Sequence, residues 1–383
     1  MWCFGDTAAK TPQKRSSGVA QPPHTPTVCG TITNILFVTS NLYALLHEER
    51  RTVLIGLSAL SFSYRCGLIG RGTNRMVSKP FSIDDIITLA VRAGLQSIEF
   101  PLEMLPDLRV ERLHALRARI AACHMIPVVD SDVADVATLE RHIPAAAALG
   151  ARALRVTISS VLEGWRSRLI TDWGRYLDEV SARLRAVRPL AEKHNVILAL
   201  ENHQDATADD LLQIIAAVGG QHIGVTFDAI NTFIVAEEPL VCLERLSPYV
   251  RNIHISDYTV YPSDQGWRLV RCSLGEGDMN LRRLFTAIEQ YAPSVPCQIE
   301  LVNHSARHIR LYADDWWVGY PPRDVRDLLP VLREFARSSR SVGDDWRTPW
   351  ERGASEEMNC FYEDQQFASS ITYLRTIGML PRV

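Results

Sequence analysis

Between Thr52 and about Ser338 one pattern repeats eight times: a short apolar run, a polar turn, then a segment of helical length. A parallel strand covered on both faces reads as a continuous apolar run, not as an alternating one. The runs are Val53–Ser63, Ser97–Pro101, Ile126–Asp132, Ala151–Ser159, Asn195–Asn202, Ile223–Asp228, Val250–Ser256 and Val295–Leu301. Helices are expected after them. Ser82 is placed to cap one that carries Asp84 and Asp85 in its first turn and ends at Gly94, and Thr207 to cap another over Ala208–Val218. Further helices are expected at Val110–His124, Ala137–Leu149, Thr171–His194, Leu240–Leu246, Asn280–Tyr291 and Pro322–Ala336. Eight strand–helix units over about 290 residues is the content of a (β/α)8 barrel, typically about 250 residues. A doubly wound open sheet uses the same alternation. The glycine-rich phosphate turn GxGxxG that usually follows its first strand is absent, and the loop there reads GLIGRGTNR.

The expected fold is therefore α/β, a (β/α)8 TIM barrel over residues 51–340, with a disordered N-terminal extension and a C-terminal tail. Residues 1–50 are rich in Pro, Ser, Thr and Gly in their first thirty and show no period. Residues 341–383 turn polar and irregular.

Several function classes are disfavoured by composition. A net charge of −3 offers no general attraction for nucleic acid or for an anionic membrane. No window reaches the ~20 apolar residues of a membrane span. The basic residues are almost all arginine; the lysines are Lys10, Lys14, Lys79 and Lys193, so Schiff-base chemistry is poorly supplied. The eight cysteines are scattered without a CxxC pair, which points to free thiols in the reducing cytoplasm.

Chemistry concentrates at strand ends. The fifth run closes on Glu201, Asn202 and His203, the sixth on Asp228, the seventh carries His254 and Asp257, and the eighth ends in Glu300. Glu201 to Asp228 is 228 − 201 = 27 residues and Asp228 to His254 is 254 − 228 = 26, each close to one strand–helix unit. His254 to Glu300 is 300 − 254 = 46, one unit with a longer loop, YTVYPSDQGWRLVRCSLGEGD. Four such residues at successive strand ends converge on one rim of a barrel. Burying them there is costly unless a cation neutralises them. Three carboxylates and one imidazole suit a single divalent ion, Mn²⁺, Mg²⁺, Co²⁺ or Zn²⁺, with no thiolate to select a softer one. The expected metal ligands are Glu201, Asp228, His254 and Glu300. The bland alternative is that each acid caps the helix that follows it.

LALENH, VTFDAIN, NIHISD, GEGDMN and QIEL resemble the motifs of the xylose-isomerase-like barrel superfamily, over roughly residues 52–338. That superfamily includes sugar-phosphate isomerases and epimerases, ketose 3-epimerases, inosose dehydratases and apurinic-site endonucleases. By position the resemblance makes the same four residues the metal ligands. From the ketose epimerase branch it implies that Glu201 and Glu300 act as acid and base on opposite faces of the substrate. Many members carry a histidine three residues after the strand-six aspartate, where this chain has Asn231. An amide can hydrogen-bond a hydroxyl but cannot carry a proton at neutral pH. This departure weighs most against the endonucleases, which use additional histidines for further metals.

The function expected is a divalent-metal-dependent isomerase or epimerase of a sugar, polyol or keto-sugar, working by proton transfer through a metal-stabilised enediolate. An inosose-type dehydratase on the same site is the alternative, as is a barrel that binds a metabolite without turning it over. The expected partner is a small non-phosphorylated sugar or polyol, with no nucleic acid or membrane, and with homo-oligomers in keeping with the superfamily. His203, Asn231, Arg155, Asp257 and Glu276 are the expected substrate-binding residues. Asp257 is alternatively placed to steady the His254 ring, and Glu99, at the end of the second run, to reach the pocket. Trp165, Trp267, Trp316 and Trp317 lie where sugar-stacking aromatics often sit.

Overall fold

Eight parallel strands close on themselves in the computed structural model, which describes residues 53–131 and 134–382. The extension assigned to residues 1–50, and Asp132 at the end of the third apolar run, lie outside the described residues. The chain proceeds β1 (Leu54–Ser58), α1 (Ile83–Ala93), β2 (Ser97–Pro101), α2 (Val110–Ala122), β3 (Ile126–Ser131) and α3 (Val136–Leu149). It continues through β4 (Ala153–Val156), α4 (Trp173–His194), β5 (Ile197–Glu201), α5 (Ala208–Val218), β6 (Ile223–Asp228), α6 (Ala229–Ile234), α7 (Pro239–Leu246) and β7 (Val250–Ile255). Then come β8 (Asp257–Ser263), β9 (Gly266–Cys272), α8 (Leu281–Tyr291), β10 (Pro296–Ile299), β11 (Arg307–Ile309), α9 (Val325–Ser338) and α10 (Glu356–Thr376). The barrel order is β1-β10-β7-β6-β5-β4-β3-β2.

Local chemistry sets the helix ends. Ser82 and Asp85 form a reciprocal capping box at the start of α1, and Thr207 and Asp210 form another at the start of α5. Gly94 ends α1 in the left-handed conformation at φ 77°, where a side chain would be strained.

The strands alternate between two buried environments. Outward residues such as Ile98, Phe100, Leu198, Leu200, Val225 and Phe227 join one hydrophobic core beneath the helices. Inward positions are small or polar. Val128, Ala153 and Ala199 form a small apolar cluster of their own. Gly56 on β1 lies so close to its neighbours that a Cβ there would meet the Gln298 side-chain oxygen at 2.2 Å and Ser97 Cβ at 2.6 Å. A polar ladder runs inside the barrel: Gln298 Nε2 donates to Ser97 Oγ (2.6 Å) and Asn252 Oδ1 (3.3 Å), and Asn252 Nδ2 donates to Glu99 (2.6 Å).

Three stretches depart from the sequence reading. The first apolar run stops as strand at Ser58, whose hydroxyl accepts Leu60 N–H and starts a short 3₁₀ turn. The long loop after His254 is a hairpin, β8 and β9, which pairs with β11 as a second, three-stranded sheet. The stretch read as an irregular tail holds the 21-residue helix α10. Glu363 of α10 accepts the backbone N–H of Tyr64 (2.7 Å) and Arg65 (3.0 Å), Ser370 Oγ accepts Leu274 N–H (2.9 Å), and Phe367 packs edge-on against Phe62 at 5.2 Å. Among the described residues no helix is long and apolar enough to cross a membrane.

Candidate metal centre

Glu201 at the end of β5, Asp228 at the end of β6, His254 in β7 and Glu300 just after β10 face the same interior space. One ligand atom from each lies within 4.8 Å of all the others, and all four residues are buried. First-row cations take ligand bonds of about 2.0–2.2 Å, which puts donors across one ion about 4–4.4 Å apart. The cluster therefore needs only small adjustment to hold a single ion.

The imidazole shows why a cation fits. Glu99 sits 2.8 and 3.1 Å from His254 Nε2, and a carboxylate there fixes the proton on that nitrogen. Nδ1 is left buried without a hydrogen-bond partner, 3.4 Å from Glu201 Oε1 and 3.3 Å from Glu300 Oε1. A ring nitrogen facing two carboxylate oxygens calls for positive charge between them, which a proton supplies in the free site and a divalent ion would supply in its place. Burial opposes charge on the ring, but Glu300 and Glu99 raise its pKa well above the ordinary histidine value. Asp130, which also lines the cavity, is pushed well up by burial and by the Glu99 charge.

Two arginines hold the outer carboxylate oxygens. Arg155 donates from Nε (2.8 Å) to Glu201 Oε2, and its Nη2 lies 2.6 Å from the same oxygen. Burial works against the charge of Glu201, but Arg155 outweighs it and holds the carboxyl well below the usual carboxylate range. Arg271, from the β9 hairpin strand, bridges Glu300 Oε2 (2.9 Å) and Asp228 Oδ2 (3.1 Å). Glu300 is pushed up by burial against the pull of His254 and Arg271. Asn231 donates to Asp228 Oδ2 (2.9 Å) and at longer range to Glu201 Oε1 (3.4 Å), so it ties two of the carboxylates together. Asp228 does cap α6, through Ile230 and Asn231 N–H, with Oδ1 alone. Capping thus uses Oδ1, while Oδ2 faces Arg271 and Asn231.

The group opens into a cavity of about 440 Å³ lined by Arg155, Glu201, His203, Asn231, Arg271 and Glu300, among others. His203 Nδ1 has no partner, and burial, with help from Arg155 and Arg307, lowers its pKa to about 4, so the ring is neutral. Two expected substrate residues stand elsewhere. Asp257 accepts backbone N–H groups from Tyr258, Met279, Gly275 and Gly277, which fixes the 275–279 loop, and a Cβ on Gly277 would meet its Oδ1 at 2.2 Å. The carboxylate that steadies His254 is thus Glu99 and not Asp257. Glu276 accepts Ser273 Oγ (2.8 Å) and does not line the cavity. The four tryptophans also lie away from it: Trp267 and Trp316 belong to a second apolar cluster under the hairpin sheet, with Trp165 and Trp317 packed against it.

Arg271, Arg307, Asp130 and Asn252 went unread in the sequence. A signal for Arg271 was present, since YTVY and WRLV flank Asp264–Gln265–Gly266 as strands flank a turn.

A family model described as xylose isomerase-like TIM barrel matches residues 87–335, more than half of the chain. Among curated proteins, YihM of Escherichia coli (strain K12), itself uncharacterised, is 24% identical over 100 residues, 26% of this chain and 31% of that protein. The match thus spans about a third of the relative's length. Solved structures include a D-psicose 3-epimerase crystallised in the presence of D-fructose, 14% identical over 85% of this chain and 99% of that one, with a TM-score of 0.54. A D-psicose 3-epimerase with D-tagatose from Clostridium cellulolyticum H10 is 13% identical over 84% and 99% of the two chains, with a TM-score of 0.53. A probable 3-DHS dehydratase from Bacillus anthracis is 15% identical over 70% and 99%, with a TM-score of 0.51. At these identities the likeness is one of fold. The chain belongs to the xylose isomerase-like TIM barrel family.

Proposed function

We propose that the chain is a divalent-metal-dependent isomerase or epimerase of a sugar, polyol or keto-sugar. The observation that carries this reading is the pairing of Glu201 and Glu300 across His254. Each has one oxygen held by an arginine and the other turned toward the shared space. The family and the epimerases of the same fold support it.

A divalent ion held by Glu201, Asp228, His254 and Glu300 supplies Lewis acidity toward a carbonyl and a neighbouring hydroxyl. The chain supplies the rest. Arg155 and Arg271 fix the two glutamates so that Oε1 of each stays directed at the cavity. One glutamate removes the proton next to the carbonyl and the other returns a proton. Return to the opposite face of the same carbon gives an epimer, and return to the neighbouring carbon gives an isomer. Loss of a β-hydroxyl starts from the same proton removal, and product structure separates that dehydratase reading from the other two.

Glu201→Gln and Glu300→Gln each keep a hydrogen-bonding group but remove the proton carrier. Each is expected to lower turnover at least a hundredfold, within the usual range of general acid–base contributions. Proton NMR in D₂O with the Mg²⁺-loaded protein and a panel of ketoses and inososes is the measurement, with circular dichroism as the check on folding. Full exchange activity in either variant would remove the acid–base pair from the account.

A further inference from the structure

Among the described residues three arginines reach the cavity, and they are not equivalent. Arg155 is bound to Glu201 and lies 3.6 Å from Asp130. Arg271 bridges Asp228 and Glu300. Arg307 has no carboxylate within ion-pair distance among the described residues. Its Nη1 donates only to Ser305, at 3.1 Å to Oγ and 3.4 Å to the carbonyl oxygen, and its Nε is buried with no acceptor. Yet it lines the same cavity as Glu201 and Glu300. The residue is half-buried, and Glu163, Glu300 and Glu351 favour its charge from beyond pairing distance, which leaves its remaining donors for an incoming anion.

The fold holds this arginine in place. β11 pairs antiparallel with β9, with Arg307 opposite Leu269. Arg271 lies two residues further along β9, so the two arginines leave the same face of that sheet. The backbone on either side of Arg307 is pinned by acids: Glu351 accepts Ala306 N–H (3.1 Å) and Glu163 accepts His308 N–H (3.0 Å). Between Glu300 and β11 the chain turns at Val302 with φ 37°, a strained conformation for a β-branched residue, and Val302 itself lines the cavity.

We infer that Arg307 anchors a carboxylate on the substrate, so that this site takes an acidic sugar, a polyhydroxy ketone bearing a carboxylate group, in preference to a neutral one. The inference rests on the sugar-isomerising reading above and narrows its substrate class. One unpaired guanidinium matches one negative charge, and its planar fork matches the two oxygens of a carboxylate. A phosphate dianion asks for more donors than remain, because Arg155 and Arg271 are held by acids and no glycine among the described residues lines the cavity. The neighbouring rings do not compete for the anion. Burial, reinforced by Arg307, holds His203 neutral and pushes His304 far below the ordinary histidine value as well. Burial also lowers Arg307, to about 10, which leaves it charged at neutral pH.

D-Fructose, D-fructuronate and D-fructose 6-phosphate share one ketose skeleton and differ at the terminal carbon. Their dissociation constants for the full-length protein, measured by ligand-observed NMR with Mg²⁺ and after chelation, test the anchor. The acid is expected to bind about ten- to a hundredfold more tightly than the neutral ketose, the range for a hydrogen-bonded charge. Arg307→Gln is expected to close that gap, and Arg307→Lys to keep part of it, since the charge remains and the fork is lost. Equal affinities in the wild-type protein, no binding of the acid, a gap that survives Arg307→Gln, or tighter binding of the phosphate would each overturn the inference. The readout is binding and not turnover. A protein that prefers the acid but exchanges no proton would keep the anchor and remove the isomerase reading.

Discussion

Glu99 does for His254 what no residue near it in sequence does: it accepts the Nε2–H hydrogen bond and leaves Nδ1 facing Glu201 and Glu300. Partners of this kind set both the orientation and the basicity of a ligating imidazole. Glu99→Gln is expected to weaken divalent-ion affinity about 10–100-fold, the usual effect of losing such a partner. Titration of the variant with Co²⁺, followed by visible absorbance, checks it; wild-type affinity would mean that the ring is not a ligand. At this scale the strand-end residues were the legible part, because spacings of 27 and 26 residues match the repeat of the fold. Their supports were legible only in part: Glu99 and Arg155 are expected at the pocket, but not as the groups that hold His254 and Glu201. Arg271 reaches Asp228 across 43 residues, and Asn252 reaches Glu99 across 153. Sequence spacing carries no sign of contacts made through a second sheet or across the barrel.

The hairpin and α10 show where patterns of period fail. In the hairpin an apolar cluster covers one face while Arg271 and Arg307 leave the same sheet for the cavity, so the alternation is broken at its most useful positions. In α10 the buried residues include Asn359, Glu363, Gln366 and Ser370, which makes a buried helix read as a polar tail. Glu363 gives this helix a pH signature. Burial pushes its carboxyl up to about 8, against two backbone N–H groups that favour the charged form. A raised carboxyl favours the neutral form in the fold. Its contribution to stability is therefore full below the ordinary glutamate value of 4.5 and is lost as pH rises through about 8. Urea unfolding at points across that window should show wild-type stability falling relative to Glu363→Gln by about 2–5 kcal/mol, with the variant less stable at the acid end by about 1–3 kcal/mol. Parallel curves for the two proteins would place the Glu363 charge outside the folding equilibrium.

Across the whole molecule, eight apolar runs became the eight strands of a closed barrel, because a parallel strand buried on both faces has little freedom in composition. What the pattern hid is the polar interior. Ser97, Gln298, Asn252 and Glu99 join hydrogen bonds from the middle of the barrel to His254, and these connect the scaffold to the site. The proposed function depends on one property, a single divalent-ion site assembled from four strand ends. Calorimetric titration of chelator-treated protein with Mn²⁺, wild type beside His254→Ala, addresses it directly. The prediction is one ion per chain in the wild type, and affinity lost at least a hundredfold in the variant, in line with removal of a ligand together with its hydrogen-bonded support. No ion bound, or equal affinity in a folded His254→Ala protein, would contradict it.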